Sequence, residues 1–142
     1  MREATAERWC VEHLVTPAFF DLDPMAIVWH GHYVKYFELG RSALLSKLDY
    51  DYQQMLDSGY LWPVVDLRIK YVKPARLKQP LVVRAEVVEF ENRLKIAYRI
   101  SDQASGARLT VGSTTQVAVD AKTQQLQFVT PRVLWERLGV SP

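Results

Sequence analysis

Between Asp21 and Arg41 the chain carries Asp21, Asp23, His30, His32, Tyr33, Glu38 and Arg41. Carboxylates and imidazoles at this density can hold a metal, move protons or attack a carbonyl, or simply cap turns and pair on a helix surface. A metal site needs three or four converging ligands. The only other histidine is His13, and no known metal-ligand spacing is present, so no metal is expected. Asp23 is followed by Pro24, which suits the start of a turn. An ionised carboxylate in that place can equally serve as a base or a nucleophile, and the residues alone leave both readings open.

The element that positions these groups is a helix expected from Tyr33 to Leu48. Tyr33, Phe37, Gly40, Leu44 and Leu48 recur at steps of three and four, with Lys35, Ser42, Ser46 and Lys47 elsewhere on the wheel. Gly31 stands just before it, where a tight start favours a residue without a side chain. Glycine inside a helix costs about 1 kcal/mol against alanine, so Gly40 is expected to face another backbone at close range. The helix start opens beside Asp23 and His30. Its unpaired N–H groups and partial positive charge suit a developing oxyanion. Glu38 and Arg41, three apart on this helix, form either a surface salt bridge or, on a buried helix, a support in which Glu38 positions water or fixes the Asp23 loop. Tyr33 is expected in the core or lining a pocket.

The spacing Asp23-x6-His30-x2-Tyr33-x4-Glu38-x2-Arg41, with Ile27 and Val28 between, resembles the signature of the 4-hydroxybenzoyl-CoA thioesterase family. It is similar in particular to the Tol–Pal-associated acyl-CoA thioesterases, which share the histidine. The resemblance continues through YVKPARL at Tyr71–Leu77 and covers about residues 12–133. It implies a hotdog fold and hydrolysis of acyl-CoA or acyl-carrier-protein thioesters, with a hotdog hydratase or dehydratase on such thioesters, or a non-catalytic acyl-thioester-binding dimer, as the alternatives. Asp23 would be the catalytic carboxylate, as nucleophile or general base. The His30 backbone N–H would polarise the thioester carbonyl, with the His30 side chain near substrate, water or the leaving thiolate. Glu38 completes the expected catalytic set, and Gly31, Tyr33, Lys73 and Arg76 the substrate-binding set. No cofactor is implied beyond the coenzyme A or phosphopantetheine that belongs to the substrate. The resemblance also implies homodimers or homotetramers with active sites at the dimer interface. Two positions depart from the family pattern: Ala26 stands where glycine is usual, and Lys78 or Gln79 where an acidic residue is frequent.

The rest of the chain agrees with a soluble globular protein. At 142 residues one domain spanning 1–142 is expected. A net charge of +2 argues against a dedicated nucleic-acid binder. The single cysteine, Cys10, excludes an internal disulfide. No stretch of 18 apolar residues occurs and MREATAERWC lacks a signal-like apolar run, so no membrane span and a cytoplasmic location are expected. From Leu67 to Ala85 six basic residues (Arg68, Lys70, Lys73, Arg76, Lys78, Arg84) meet no acidic one. They form either the wet face of strands or a seat for coenzyme A phosphates or an acidic carrier surface.

Periodicity supplies the remaining elements. A first strand, bent or at an edge because of Pro17, is expected over residues 8–20. Asp51 and Gln54 form a capping-box pair for a short helix ending at Ser58-Gly59. Val65, Leu67, Ile69 and Tyr71 alternate with polar residues, which predicts a strand with one buried face. A hairpin turns at Glu91-Asn92, its second arm placing Leu94, Ile96, Tyr98 and Ile100 inward. A long strand over 107–119, a short one at Gln127–Val129, and a helix capped by Thr130 and ended by Gly139 follow. One long apolar helix and a one-faced antiparallel sheet have an economical solution, the sheet wrapped around the helix. The fold class expected is therefore α+β, a hotdog with an antiparallel β-sheet around one long central α-helix.

Overall fold

A computed structural model describes residues 7–141. Five antiparallel strands make the main sheet, in the order β1-β4-β5-β6-β3. They are β1 (Cys10–Val15), β3 (Val64–Tyr71), β4 (Leu81–Glu89), β5 (Leu94–Asp102) and β6 (Arg108–Gln116). A second, three-stranded sheet has the order β2-β7-β8, from β2 (Tyr60–Leu61), β7 (Ala118–Asp120) and β8 (Leu126–Gln127). The helices are α1 (His32–Lys47), α2 (Tyr52–Asp57) and α3 (Arg132–Leu138), with a short 3₁₀ turn at Phe19–Asp21. Among the described residues no helix is long and apolar enough to cross a membrane.

The strongest sequence patterns become the core. Leu81, Val83, Ala85 and Val87 of β4 and Leu94, Ile96, Tyr98 and Ile100 of β5 are all buried, alternating with half-buried or exposed neighbours. Helix α1 packs across β1, β4 and β5. Its buried face is Tyr33, Tyr36, Phe37, Gly40, Arg41, Leu44 and Leu45, while Lys35, Ser46 and Lys47 stay in water. The helix therefore lies on the sheet with one open side and is not enclosed all round. Phe37 stacks on Tyr98 with ring centres 4.4 Å apart. Fully burying Leu44 and Leu45 contributes about 1.5–3 kcal/mol each. Gly40 meets β4 and not a foreign backbone: a Cβ there would lie 2.8 Å from Val83 Cγ1. The missing methyl group lets helix and sheet approach.

Several boundaries shift for identifiable reasons. β1 runs only from Cys10 to Val15 and does lie at a sheet edge. The strand expected over 107–119 is interrupted at Val117, where the chain leaves the main sheet for the small one. The cap of α3 is Pro131, not Thr130. The Thr130 hydroxyl instead donates to the Phe90 carbonyl at 2.6 Å and accepts from Trp135 Nε1 at 2.8 Å. Gly139 ends that helix at φ +76°, a left-handed conformation that favours glycine. The capping box forms as expected: Asp51 accepts from the Gln54 N–H at 2.9 Å and Gln54 Oε1 from the Asp51 N–H at 2.8 Å.

The face of β3 expected to be buried is not. Val65, Leu67 and Tyr71 are exposed, and only Asp66 and Ile69 are partly covered. β3 pairs with β6 on one side and closes the sheet on the other, so it has neighbours to one side only. Alternation sorts its side chains between two faces, but among the described residues only Ile69 packs against the core and Tyr71 against Tyr33 and His30, and the rest of the strand stays open.

Candidate active site

The segment from Asp21 to Gly31 is a compact hydrogen-bonded loop. Its base is Asp21, which is buried. Lys35 Nζ, the Tyr36 hydroxyl and the Ala18 N–H donate to its two oxygens at 2.7, 2.9 and 3.0 Å. Burial pushes this carboxyl up, but those three donors and the Lys35 charge outweigh it and hold it below the ordinary aspartate range. The Trp29 N–H returns to the Asp21 carbonyl at 2.9 Å, closing the loop.

At its crest the loop turns on Asp23. The Asp23 carbonyl accepts from the Ala26 N–H at 3.0 Å, and Oδ1 accepts from the Met25 N–H at 2.8 Å. This is an Asx turn, so the turn-forming reading of Asp-Pro is realised. It occupies one carboxylate oxygen; Oδ2 has no partner among the described residues. Ala26 sits at φ +63°, in the left-handed region that favours glycine. The usual family glycine at this position thus has a conformational reason, and alanine is accommodated there at some strain.

The loop is clamped to the segment after β3. The Val28 N–H donates to the Ala75 carbonyl at 2.9 Å, and Ile27 bridges to Arg76. The Ala75 N–H donates to the Tyr33 hydroxyl at 3.0 Å, and burial raises the pKa of that phenol. Gly31 caps α1 at an ordinary φ of −70°, so its small size is required by space. A Cβ on it would lie 2.2 Å from the Trp29 ring.

A cavity of about 310 Å³ opens against this loop. Asp23, His30, Tyr33 and Lys73 all line it, together with apolar Met25, Ile27, Val28, Val72 and Pro74 and the ring of Tyr71. Four of the seven expected site residues therefore meet at one place. Gly31 follows the lining residue His30 but does not itself line the cavity. Arg76 is exposed in the clamp beyond the cavity wall. Glu38 lies elsewhere on α1, its side chain 45% exposed, paired with Arg41 and accepting from the Tyr52 hydroxyl at 3.2 Å. The basic run also divides: Arg68 pairs with Asp66 and Arg84 with Glu86, each at 3.2 Å, leaving Lys73 at the cavity. His32 packs edge-on against Trp29.

Backbone bonds around His30 leave two donors open. The Trp29 carbonyl accepts from the His32 N–H at 2.9 Å, and the His30 carbonyl from the Tyr71 hydroxyl at 2.8 Å. The His30 and Gly31 N–H groups have no acceptor among the described residues. A carboxylate, a free N–H pair at a helix start and an apolar-walled cavity are the components of carbonyl chemistry. Asp21 and Tyr71 were not singled out by spacing. Asp21 has the same type as Asp23, and Tyr71 sits in an apolar alternation, so neither carries a local signal.

Residues 17–135 match the thioesterase-like superfamily. The chain belongs to it. YneP of Bacillus subtilis, a proposed acyl-CoA thioesterase, is 31% identical over 112 residues, covering 78% of this chain and 80% of that protein. Among solved structures, a DHNA-CoA thioesterase from Staphylococcus aureus superposes with a TM-score of 0.76 at 26% identity, covering 84% of this chain and 80% of that one. Slr0204, a 1,4-dihydroxy-2-naphthoyl-CoA thioesterase from Synechocystis, reaches 0.81 at 18% identity over 91% and 94% of the two chains. The fold of this thioesterase-like chain is accordingly that of the hotdog thioesterases, an antiparallel sheet with α1 laid across it.

Proposed function

We propose that this protein hydrolyses acyl thioesters of coenzyme A or acyl carrier protein to a free acid and a thiol. The observation that carries the reading is that Asp23 and His30, just before α1, line one cavity. In this reading the carbonyl oxygen takes the open N–H at His30, which stabilises the oxyanion as it forms. Asp23 then acts in one of two ways. As a base it takes a proton from water while the water oxygen bonds to the carbonyl carbon; the C–S bond then breaks and the thiolate is protonated. As a nucleophile its free oxygen bonds to that carbon, the thiolate leaves, and water cleaves the resulting anhydride. Both give the same products.

The other residues take supporting parts. Tyr33 holds the cavity wall through Ala75, and Gly31 makes room for Trp29. The position of Lys73 at the cavity, with Arg76 nearby in sequence, supports a part for both in meeting coenzyme A phosphates or an acidic carrier. Glu38 supports α1 through Arg41 and Tyr52 without touching substrate. The Asp23-to-Arg41 spacing supports a place near the 4-hydroxybenzoyl-CoA branch. The exposed apolar residues on the β3 edge support a homodimer or homotetramer.

The test is thiol release across a panel of acyl-CoA and acyl-carrier thioesters, with wild type beside Asp23→Asn. Turnover by wild type on at least one substrate, lost in the variant, is expected. No turnover on any substrate, or full activity in the variant, overturns the reading.

A further inference from the structure

The bonds around His30 assign a part to Tyr71. We propose that Tyr71 is a positioning residue: its hydroxyl fixes the His30–Gly31 peptide so that the open Gly31 N–H, next to that of His30, keeps its aim on the substrate carbonyl. This rests on the thioesterase reading above.

Of the backbone N–H groups from Asp21 to His32, those of Ile27, His30 and Gly31 have no acceptor among the described residues. Those of Asp21, Leu22, Asp23, Ala26, Val28, Trp29 and His32 go to backbone carbonyls, and that of Met25 to Asp23. The Trp29 side of His30 is held from within the loop, by the His32 N–H on the Trp29 carbonyl. The other side is held from outside it. The hydrogen bond on the His30 carbonyl comes from Tyr71, 41 residues away at the end of β3. Removing it leaves the His30–Gly31 peptide free to rotate, and with it the donors at the start of α1.

Tyr71 is itself well held. Its ring lies edge-on to Tyr33 at 5.3 Å and to His30 at 6.4 Å, and its backbone pairs with Thr110 of β6. Partial burial raises the pKa of its hydroxyl, which keeps the proton that the bond requires at neutral pH. The strand thus ties the junction between loop and helix to the sheet. Small misplacement of a donor is costly in rate, because oxyanion stabilisation depends on geometry at the reacting atom.

Tyr71→Phe removes the hydroxyl and leaves the ring. It should lower kcat roughly tenfold while KM stays within about twofold, the pattern of a contact that acts in the transition state. The penalty should be equal for alkyl thiol and thiophenol leaving groups. A penalty that grows with the basicity of the leaving thiol would make Tyr71 a proton donor and overturn the positioning role. A second readout needs no turnover: backbone ¹⁵N relaxation of the free protein should show lost order at His30 and Gly31 only. Unchanged order there overturns the proposal even if activity falls. If wild type cleaves no thioester, the functional reading fails, and the relaxation result still decides whether Tyr71 anchors the peptide.

Discussion

Asp21 and Asp23 are separated by one leucine, and the base and crest of their loop surround them in opposite ways. At the base, Asp21 is buried with two side-chain donors and one backbone donor on its oxygens. At the crest, Asp23 is half-buried at a cavity, one oxygen fixed by the Met25 N–H and the other unpartnered among the described residues. A fully coordinated carboxylate is stabilising and chemically inert. A carboxylate held by one oxygen is oriented and still available. The difference teaches that the loop separates structure from chemistry over two positions: the base bears the load, and the crest is left free to react.

The same substitution at both places should split along that line. Asp23→Asn is expected to lower turnover at least ~10²-fold, the usual scale for losing a base or nucleophile. That corresponds to about 2.7 kcal/mol of barrier. Stability should stay within about 0.5 kcal/mol, because the asparagine carbonyl can still accept from Met25. Thiol release and a thermal melt on one preparation measure both. Asp21→Asn should do the reverse, costing about 2 kcal/mol in urea unfolding. Its amide NH₂ would either face the Ala18 N–H and the Tyr36 hydroxyl or turn Lys35, 45% exposed, out to water, and each arrangement loses a bond that the carboxylate accepts. Loss of activity per folded molecule should be far smaller than at position 23. A variant at position 21 as stable as wild type would remove the contrast between base and crest.

Acid should sharpen the contrast further. The Asp21 carboxyl is lowered in the folded protein, so its contribution is fully present above the unfolded aspartate value near pH 4. It is lost as pH falls from there through the folded value, since only the unfolded chain binds the proton in that window. The stability gap between wild type and Asp21→Asn should therefore be flat from about pH 5 to neutrality and narrow below about pH 4. Unfolding free energies at a series of pH values check this, and a gap that widens on acidification would reverse the sign assigned to Asp21.

Much of this arrangement was legible in the sequence where the signal is local. The 3.6-residue pattern marked α1 within one residue at each end, and the alternation at Leu94, Ile96, Tyr98 and Ile100 marked buried β5. The Asp51–Gln54 pair marked a cap through its own chemistry. Spacing also brought Asp23, His30 and Tyr33 to one cavity, since all three lie within the loop and the first turn of α1. What failed was what depends on distant chain. Alternation in β3 cannot say whether anything covers the strand. Asp21 is set apart by Lys35 and Tyr36, 14 and 15 residues on, and by nothing in its neighbourhood. Glu38 shares the helix with the site but is directed to Arg41 and Tyr52, a choice made by rotation about the helix axis.

The smallest effect concerns the crest alone. Ala26 holds φ +63°, where a Cβ crowds the backbone and costs about 1 kcal/mol. Ala26→Gly removes that crowding but gives the unfolded chain more freedom, which offsets part of the gain. A net stabilisation of about 0.5 kcal/mol is expected, read as a higher urea midpoint at an unchanged slope. The Asx turn does not use this side chain, since its bonds run from the Met25 and Ala26 N–H groups to Asp23. Turnover should therefore change little. If glycine stabilises and turnover holds, the strain at the crest is incidental to the chemistry. If glycine stabilises but turnover falls severalfold, the alanine stiffens the turn that aims Asp23, and the crest trades stability for orientation. A lower urea midpoint would mean that Ala26 contributes contacts worth more than its strain, and the crest would then bear load as the base does.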